Sequence, residues 1–210
     1  MNSRLAVILV LAAGLGMSGC ATMSADECAM SDWRAIGYED GAMGYTANRL
    51  ADRRKACAKH GVAPDFEAYQ AGRREGLRQY CQPSRGFNVG AGGGRYNGVC
   101  PSDLEPEFVD AFNSGHKLYN LRSQVNSANY QINSREKELD NTKDRIRKVE
   151  ADLISSETTN EERVLLLVDL KELSERIGEI EAEIVDLVEE RAIYEQQLSQ
   201  YEAMIADTNY

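Results

Sequence analysis

Five cysteines and two histidines are the side chains of this 210-residue chain best suited to covalent, metal or proton-transfer chemistry. Cys28, Cys57, Cys81 and Cys100 lack the paired C-x2-C spacing that gathers thiolates around zinc. No low-pKa setting marks any of them as a nucleophile. An even set of this kind in an oxidising compartment reads as two disulfides, with three connectivities open. His60 stands before Gly61 at an expected helix end, where a cation suits the helix dipole, and His116 follows Gly115. No Gly-x-Ser-x-Gly or His-Glu-x-x-His accompanies either histidine. Glu39 and Asp40 are adjacent, so on a helix they point apart and make a poor two-carboxylate pair. Gly90-Ala-Gly92-Gly-Gly94 has the glycines of a phosphate loop, but no strand precedes it and no Gly-Lys-Ser/Thr follows. The expectation is a chain with no catalytic residue, no metal ligand and no cofactor.

Cys20 offers a different chemistry, acylation. Arg4 and an almost unbroken apolar run from Leu5 to Met17 precede Ser18-Gly19-Cys20-Ala21. That is the layout of an export signal, and the run is too short to span a bilayer. The motif resembles the lipobox of bacterial lipoproteins, in which the cysteine is diacylated and becomes the mature N-terminus. Met17 departs from that pattern, which prefers leucine. Ordinary signal-peptidase cleavage near the same place would instead leave a soluble periplasmic protein. Residues 1–19 are therefore read as a lipoprotein signal and Cys20 as the lipidation site. Ala21, where no aspartate follows the cysteine, resembles the sorting signal for the outer membrane.

The elements that position the remaining residues fall into two regions. Residues 20–116 are rich in Gly, Cys and aromatics and carry a weak repeat: Gly37-x3-Gly41-x3-Tyr45, Gly72-x3-Gly76-x3-Tyr80 and Ala111-x3-Gly115-x3-Tyr119. Four-residue spacing puts the small residues and the tyrosine on one helix face. Two glycines there cost about 1 kcal/mol each in helix propensity. Close approach of another backbone offsets that cost, so three short helices crossing tightly are expected, with Trp33 and the tyrosines in the core. Pro64 and Pro106 suit helix first turns, and Gly61 suits a helix end. The stretch from Cys81 to Cys100 holds six glycines, two asparagines and a proline, and reads as an irregular loop closed by a disulfide. Phe87, Arg95 and Tyr96 in it are the residue types of a contact surface. Cys81 with Cys100 leaves Cys28 with Cys57, which meet only if the chain reverses near Gly44-Tyr-Thr46.

Many separate words in this region agree in order with one family. They include Asp32-Trp33, Asp40-Gly41, Gly61-Val-Ala-Pro64-Asp65, Ala68-Tyr69-Gln-Ala-Gly72-Arg73, Tyr80-Cys81-Gln-Pro83 and Tyr96-Asn-Gly98-Val-Cys100-Pro101. Residues 24 to about 120 thereby resemble the domain-of-unknown-function family twenty-seven ninety-nine, small bacterial envelope proteins often made with lipoprotein signals. The resemblance implies an exported, lipid-anchored domain and carries over no catalytic residue.

Residues 117–206 have heptad grammar. Leu118, Leu121, Val125, Ala128, Ile132, Leu139, Ile146, Val149 and Leu153 form one seam, broken at Arg135 and Thr142. Leu166, Leu170, Leu173, Ile177, Ile180, Ile184, Leu187, Tyr194, Leu198, Tyr201 and Ile205 form another, broken at Arg191. Thr159-Asn-Glu-Glu162 is a capping box that starts a fresh helix after a polar stretch at 155–160. The expected structure is an antiparallel coiled-coil hairpin with its tip near Ser156; a single long helix pair between two molecules is the alternative. Matching Leu153 with Leu166 sets Leu118 near Tyr201. Lys143, Arg145, Arg147 and Lys148 would then lie beside Glu172 and Glu175.

The fold class is thus mainly α: a small disulfide-stapled helical head with a Gly-rich loop, then the hairpin. Net charge is −10, and residues 161–210 hold 14 acids against 4 bases, which argues against nucleic acid as a partner. The functional expectation is a non-enzymatic envelope lipoprotein, held at the outer membrane by its lipid, facing the periplasm and docking an envelope protein through the hairpin. A module binding glycan or a small ligand through the Cys81–Cys100 loop is one alternative, and a periplasmic hydrolase built around His60 or His116 is another.

Overall fold

The structure, a computed structural model, describes residues 23–208, so the expected signal segment and Cys20 lie outside the described residues. Among the described residues there are seven helices and no strand. The head contains α1 (Ala25–Met30), α2 (Trp33–Ala42), α3 (Asn48–Ala58), α4 (Phe66–Tyr80) and α5 (Pro83–Ala91). Two long helices complete it, α6 (Glu105–Ile154) and α7 (Asn160–Ala206). Local signals set most starts. Ser24 and Glu27 make a capping box for α1, Asp32 accepts from the Arg34 and Ala35 amides, and Asp65 accepts from the Ala68 amide. Pro64 precedes the Asp65 cap and so sits just outside α4 instead of in its first turn.

The glycine repeats organise the head, but as two pairs and not as a trio. Gly37 and Gly41 of α2 lie on the Tyr69 and Arg73 carbonyls of α4, and Gly76 of α4 lies on the Tyr38 carbonyl of α2. A β-carbon at any of these positions would overlap a backbone atom of the opposing helix. The third repeat, on α6, meets a partner that reads as loop in the sequence. Gly86 and Gly90 of α5 lie on the Phe108 and Phe112 carbonyls, and Gly115 of α6 lies on the Phe87 carbonyl. The irregular loop expected across 82–99 is therefore helical over its first half. Pro83 supplies the first turn of α5, and the glycines are tolerated because α6 occupies the space their side chains would fill.

The two pairs correspond position by position in sequence and in close contacts. Gly37, Gly41 and Gly44 correspond to Gly86, Gly90 and Gly93, each 49 residues later; Tyr69, Gly76 and Tyr80 correspond to Phe108, Gly115 and Tyr119, each 39 later. Gly44 and Gly93 both have φ +71, and each lies on a tyrosine ring, Tyr80 and Tyr119 respectively. A left-handed backbone with no room for a β-carbon restricts both sites to glycine. Between the paired helices stand Gly61-Val-Ala-Pro64 and Gly98-Val-Cys100-Pro101, again with matching left-handed glycines, φ +73 and +64. The head is an internal duplication. Each unit has one disulfide, Cys28–Cys57 and Cys81–Cys100, the pairing expected from the chain reversal at Gly44. Closing loops of 29 and 19 residues, each stabilises by roughly 3 kcal/mol through the unfolded chain.

Helix α6 crosses the expected 116/117 boundary without a break. Its first turns belong to the head through Phe108, Ala111 and Gly115, and its remainder is the first arm of the hairpin. At 50 and 47 residues, α6 and α7 extend roughly 75 and 70 Å. Leu118 packs with Tyr201 as the heptads require, and Phe87 and Ala91 of α5 pack against the same Leu118, Leu121 and Tyr201 cluster that Leu198 and Ile205 cover, so the base of α7 meets the head. The capping box at Thr159 and Glu162 is formed.

Candidate functional site

Within the head the most conspicuous polar group is Asp40, 2% exposed. Its carboxylate accepts from Arg53 Nη2 at 2.8 Å, Arg53 Nε at 3.1 Å and the Tyr69 hydroxyl at 2.9 Å. Burial, then the Asp40 hydrogen bond, pushes the Tyr69 phenol up to about 12. The second unit is an internal control for this network. Val89 and Phe108 occupy the positions of Asp40 and Tyr69 and sit in an all-apolar core. The first unit differs in having α3, whose Arg53 arrives at Asp40; the corresponding stretch after α5 has no helix. The network docks α3 on α2 and α4.

The residues expected as a contact surface separate. Phe87 packs under α7 with Leu198 and Tyr201. Tyr96 donates to Glu105 at 2.8 Å, accepts from the Cys100 amide at 3.1 Å and packs on Phe108. Burial pushes the Tyr96 phenol up to about 12. Only Arg95 of the three is exposed. Their types signalled an interface, and the interface they make is internal: Phe87 with the hairpin, Tyr96 with the second disulfide.

His60 lies in the turn after α3, and His116 is exposed on α6 between Phe112 and Tyr119, with Asn120 at 3.3 Å. Among the described residues neither ring has a carboxylate or hydroxyl partner, and no group of acids, cysteines and histidines is placed to hold a metal ion.

The hairpin presents the larger surface. The side chains at its three seam breaks have partners within the hairpin, while the buried Arg191 Nε makes no hydrogen bond. Thr142 donates to the Glu138 carbonyl, Arg135 pairs with Glu138 and Glu183, and Arg191 reaches Asn129 and Glu195. Cross-arm ion pairs are Arg122–Glu202, Lys143–Glu181, Arg135–Glu183 and Arg176–Glu138. Arg176 and Arg135 together hold the Glu138 carboxyl below the usual carboxylate range. The expected pairing of the α6 bases with Glu172 and Glu175 does not form. Lys143 pairs instead with Glu181, six residues beyond Glu175, Arg147 with Asp144 on its own helix, and Glu175 with Lys171.

At the tip, Ile154, Val164, Leu165, Leu167 and Val168 are between 49% and 83% exposed. Over 164–168 α7 is apolar on every face, a pattern that a two-helix hairpin can cover on one side only. An exposed apolar cluster of this kind is the type of surface on which partners dock. In the sequence the collar is masked, because Leu166 fits the seam and its apolar neighbours simply flank it.

Residues 32–117 match the model of the family described as protein of unknown function (DUF2799). The resemblance read from the sequence holds over this segment, which contains both helix crossings but not α1 with Cys28, and stops where the hairpin begins. No curated protein and no solved structure matches the chain. Among the described residues no helix is long and apolar enough to cross a membrane.

Proposed function

We propose that this chain is a non-enzymatic cell-envelope lipoprotein whose DUF2799 head is anchored at the outer membrane through Cys20 and whose hairpin docks a protein. The observation that carries the docking reading is the apolar collar of Ile154, Val164, Leu165, Leu167 and Val168, held at the far end of the hairpin from the head. The anchor rests on Arg4, the apolar run to Met17 and Ser18-Gly19-Cys20.

A photo-crosslinking side chain at Leu165 of the full chain, irradiated in cells, tests the docking. A covalent protein adduct that disappears when Ile154 and Val168 are both changed to Gln is expected. No protein adduct from the collar would overturn the reading. For the anchor, Cys20→Ser should leave the protein exported but free of membranes; failure of labelled fatty acid to enter the unaltered chain would remove the lipid.

A further inference from the structure

The hairpin uses one apolar stripe of α7. A second stripe runs beside it on residues spaced alternately three and four apart from Val164 to Val188, all exposed, and α6 does not cover it. Heptad spacing on an uncovered flank is the pattern of a further helix–helix seam. Its order is self-complementary about a midpoint between Ser174 and Gly178. Counting inward from both ends, Val164 is matched by Val188, Leu167 by Val185, Lys171 by Glu181 and Ser174 by Gly178.

We infer that α7 pairs antiparallel with α7 of a second copy of this chain, along Val164–Val188; this rests on the docking reading above and names its partner. An isologous two-fold contact requires that residue i meet j while j meets i, and the stripe satisfies this in all four matched pairs. Val164 meets the second copy's Val188, and Leu167 its Val185. Lys171 meets Glu181; each is largely exposed and held in the monomer only by a 3.4 Å surface ion pair, to Glu175 and to Lys143 respectively, which a partner's charge can replace. At the centre Ser174 meets Gly178. A β-carbon on Gly178 would touch nothing within the monomer, so the hairpin itself gives no reason for a glycine there. At the midpoint of a seam the glycine allows the two helices to approach closely. A parallel pairing would set Lys171 on Lys171 and Glu181 on Glu181, and is disfavoured by like-charge contact. An anionic lipid surface is disfavoured as occupant by the 14 acids against 4 bases of residues 161–210. The heads then lie at opposite ends of the assembly.

The test uses the full chain in cells with the photo-crosslinker at Val185. An adduct of twice the chain mass, mapped to the neighbourhood of Leu167 in the second copy, is expected. Lys171→Glu should lower its yield about fivefold, Glu181→Lys likewise, and the double variant should restore it; Glu181→Lys also breaks the exposed Lys143–Glu181 pair, so helical signal is read alongside and should fall little. An adduct mapped to Val185 itself, or no rescue in the double variant, overturns the antiparallel pairing. Adducts only with a different protein overturn self-pairing and leave the docking reading standing. No adduct from Val185 or from Leu165 overturns both.

Discussion

The Tyr201 hydroxyl donates to the Ser114 carbonyl oxygen across 2.9 Å, tying the last turns of α7 to the turn of α6 that packs on α5. Tyr201 is 7% exposed, Leu118 and Leu121 sit beside it, and the Lys117 ammonium lies 4.6 Å over its ring. The head and the hairpin are therefore joined twice, by the unbroken α6 and by this contact. Tyr201→Phe should cost about 0.5–1.5 kcal/mol for the lost hydrogen bond. Tyr201→Ala should cost about 3–5 kcal/mol, because it opens a cavity where three helices meet. Urea unfolding followed by far-ultraviolet dichroism reads both. An Ala variant as stable as the parent would show that the base of α7 is not anchored.

The duplicated crossings predict equal sensitivity in the two units. Alanine at Gly41 would drive its β-carbon into the Arg73 carbonyl, and alanine at the corresponding Gly90 into the Phe112 carbonyl. Each should destabilise by roughly 1–3 kcal/mol or more, since backbone and not a flexible side chain must move. Thermal unfolding of the two variants checks this, and tolerance at Gly90 would sink the equivalence of the α5–α6 crossing with the α2–α4 crossing.

Much of this was legible in the sequence, and the misses have one cause. The small-xxx-small-xxx-Tyr words at Gly37, Gly72 and Ala111, the capping box at Thr159 and the register that sets Leu118 by Tyr201 all arise from local pattern, and the structure contains them. Gly86 and Gly90 read as loop because glycine propensity is a local quantity. Only the arrival of α6 makes them helical. Gly61-Val-Ala-Pro64 and Gly98-Val-Cys100-Pro101 were visible words whose duplication became evident once both left-handed glycines were placed. The collar at 164–168 is a surplus of apolar residues over what the seam needs, and which of them α6 covers depends on rotation about α7.

Asp40 and Tyr69 should behave as a coupled pair. Tyr69→Phe removes a hydrogen bond to a carboxylate and should cost about 1.5–3 kcal/mol. Asp40→Val removes the partner of Arg53, whose side chain is 23% exposed, and should cost about 3–5 kcal/mol. Together the two changes recreate the Val89 and Phe108 arrangement of the second unit, so the double variant should lose less than the sum of the singles. A double-mutant cycle in urea measures the difference, and additivity within about 0.5 kcal/mol would contradict the equivalence.

Tyr69 and Tyr96, both pushed up to about 12, fix the alkaline limit of the head. The folded state holds each phenolic proton more tightly than the unfolded chain, whose tyrosines titrate near 10. Their contribution is complete below about pH 10 and falls as pH rises toward 12, by up to about 1.4 kcal/mol per pH unit for each phenol. Urea midpoints measured from pH 8 to 12 should be flat and then decline, and Tyr69→Phe should shallow the decline. An unchanged slope in that variant would mean that Tyr69 ionises in the fold as it does in the unfolded chain.

The hairpin is tested at Ile180, which is fully buried against α6, whereas Ile146 and Ile177 are only half-buried. Ile180→Asp places an unpaired charge in the seam and should cost several kcal/mol, more than Ile146→Asp. Because the Cys28–Cys57 unit makes its own core from Trp33, Leu50 and Tyr69, its near-ultraviolet signal should outlast the loss of helix in Ile180→Asp. Spin labels at Gln124 and Glu195, opposite each other in the register that sets Leu118 by Tyr201, report the arm separation. In dilute protein the unaltered chain should give distances within about 20 Å, set by helix axes 8–10 Å apart plus the label arms. The Ile180→Asp variant should give a broad and longer distribution. Distances near the roughly 100 Å of one continuous helix in the unaltered chain would rule the hairpin out.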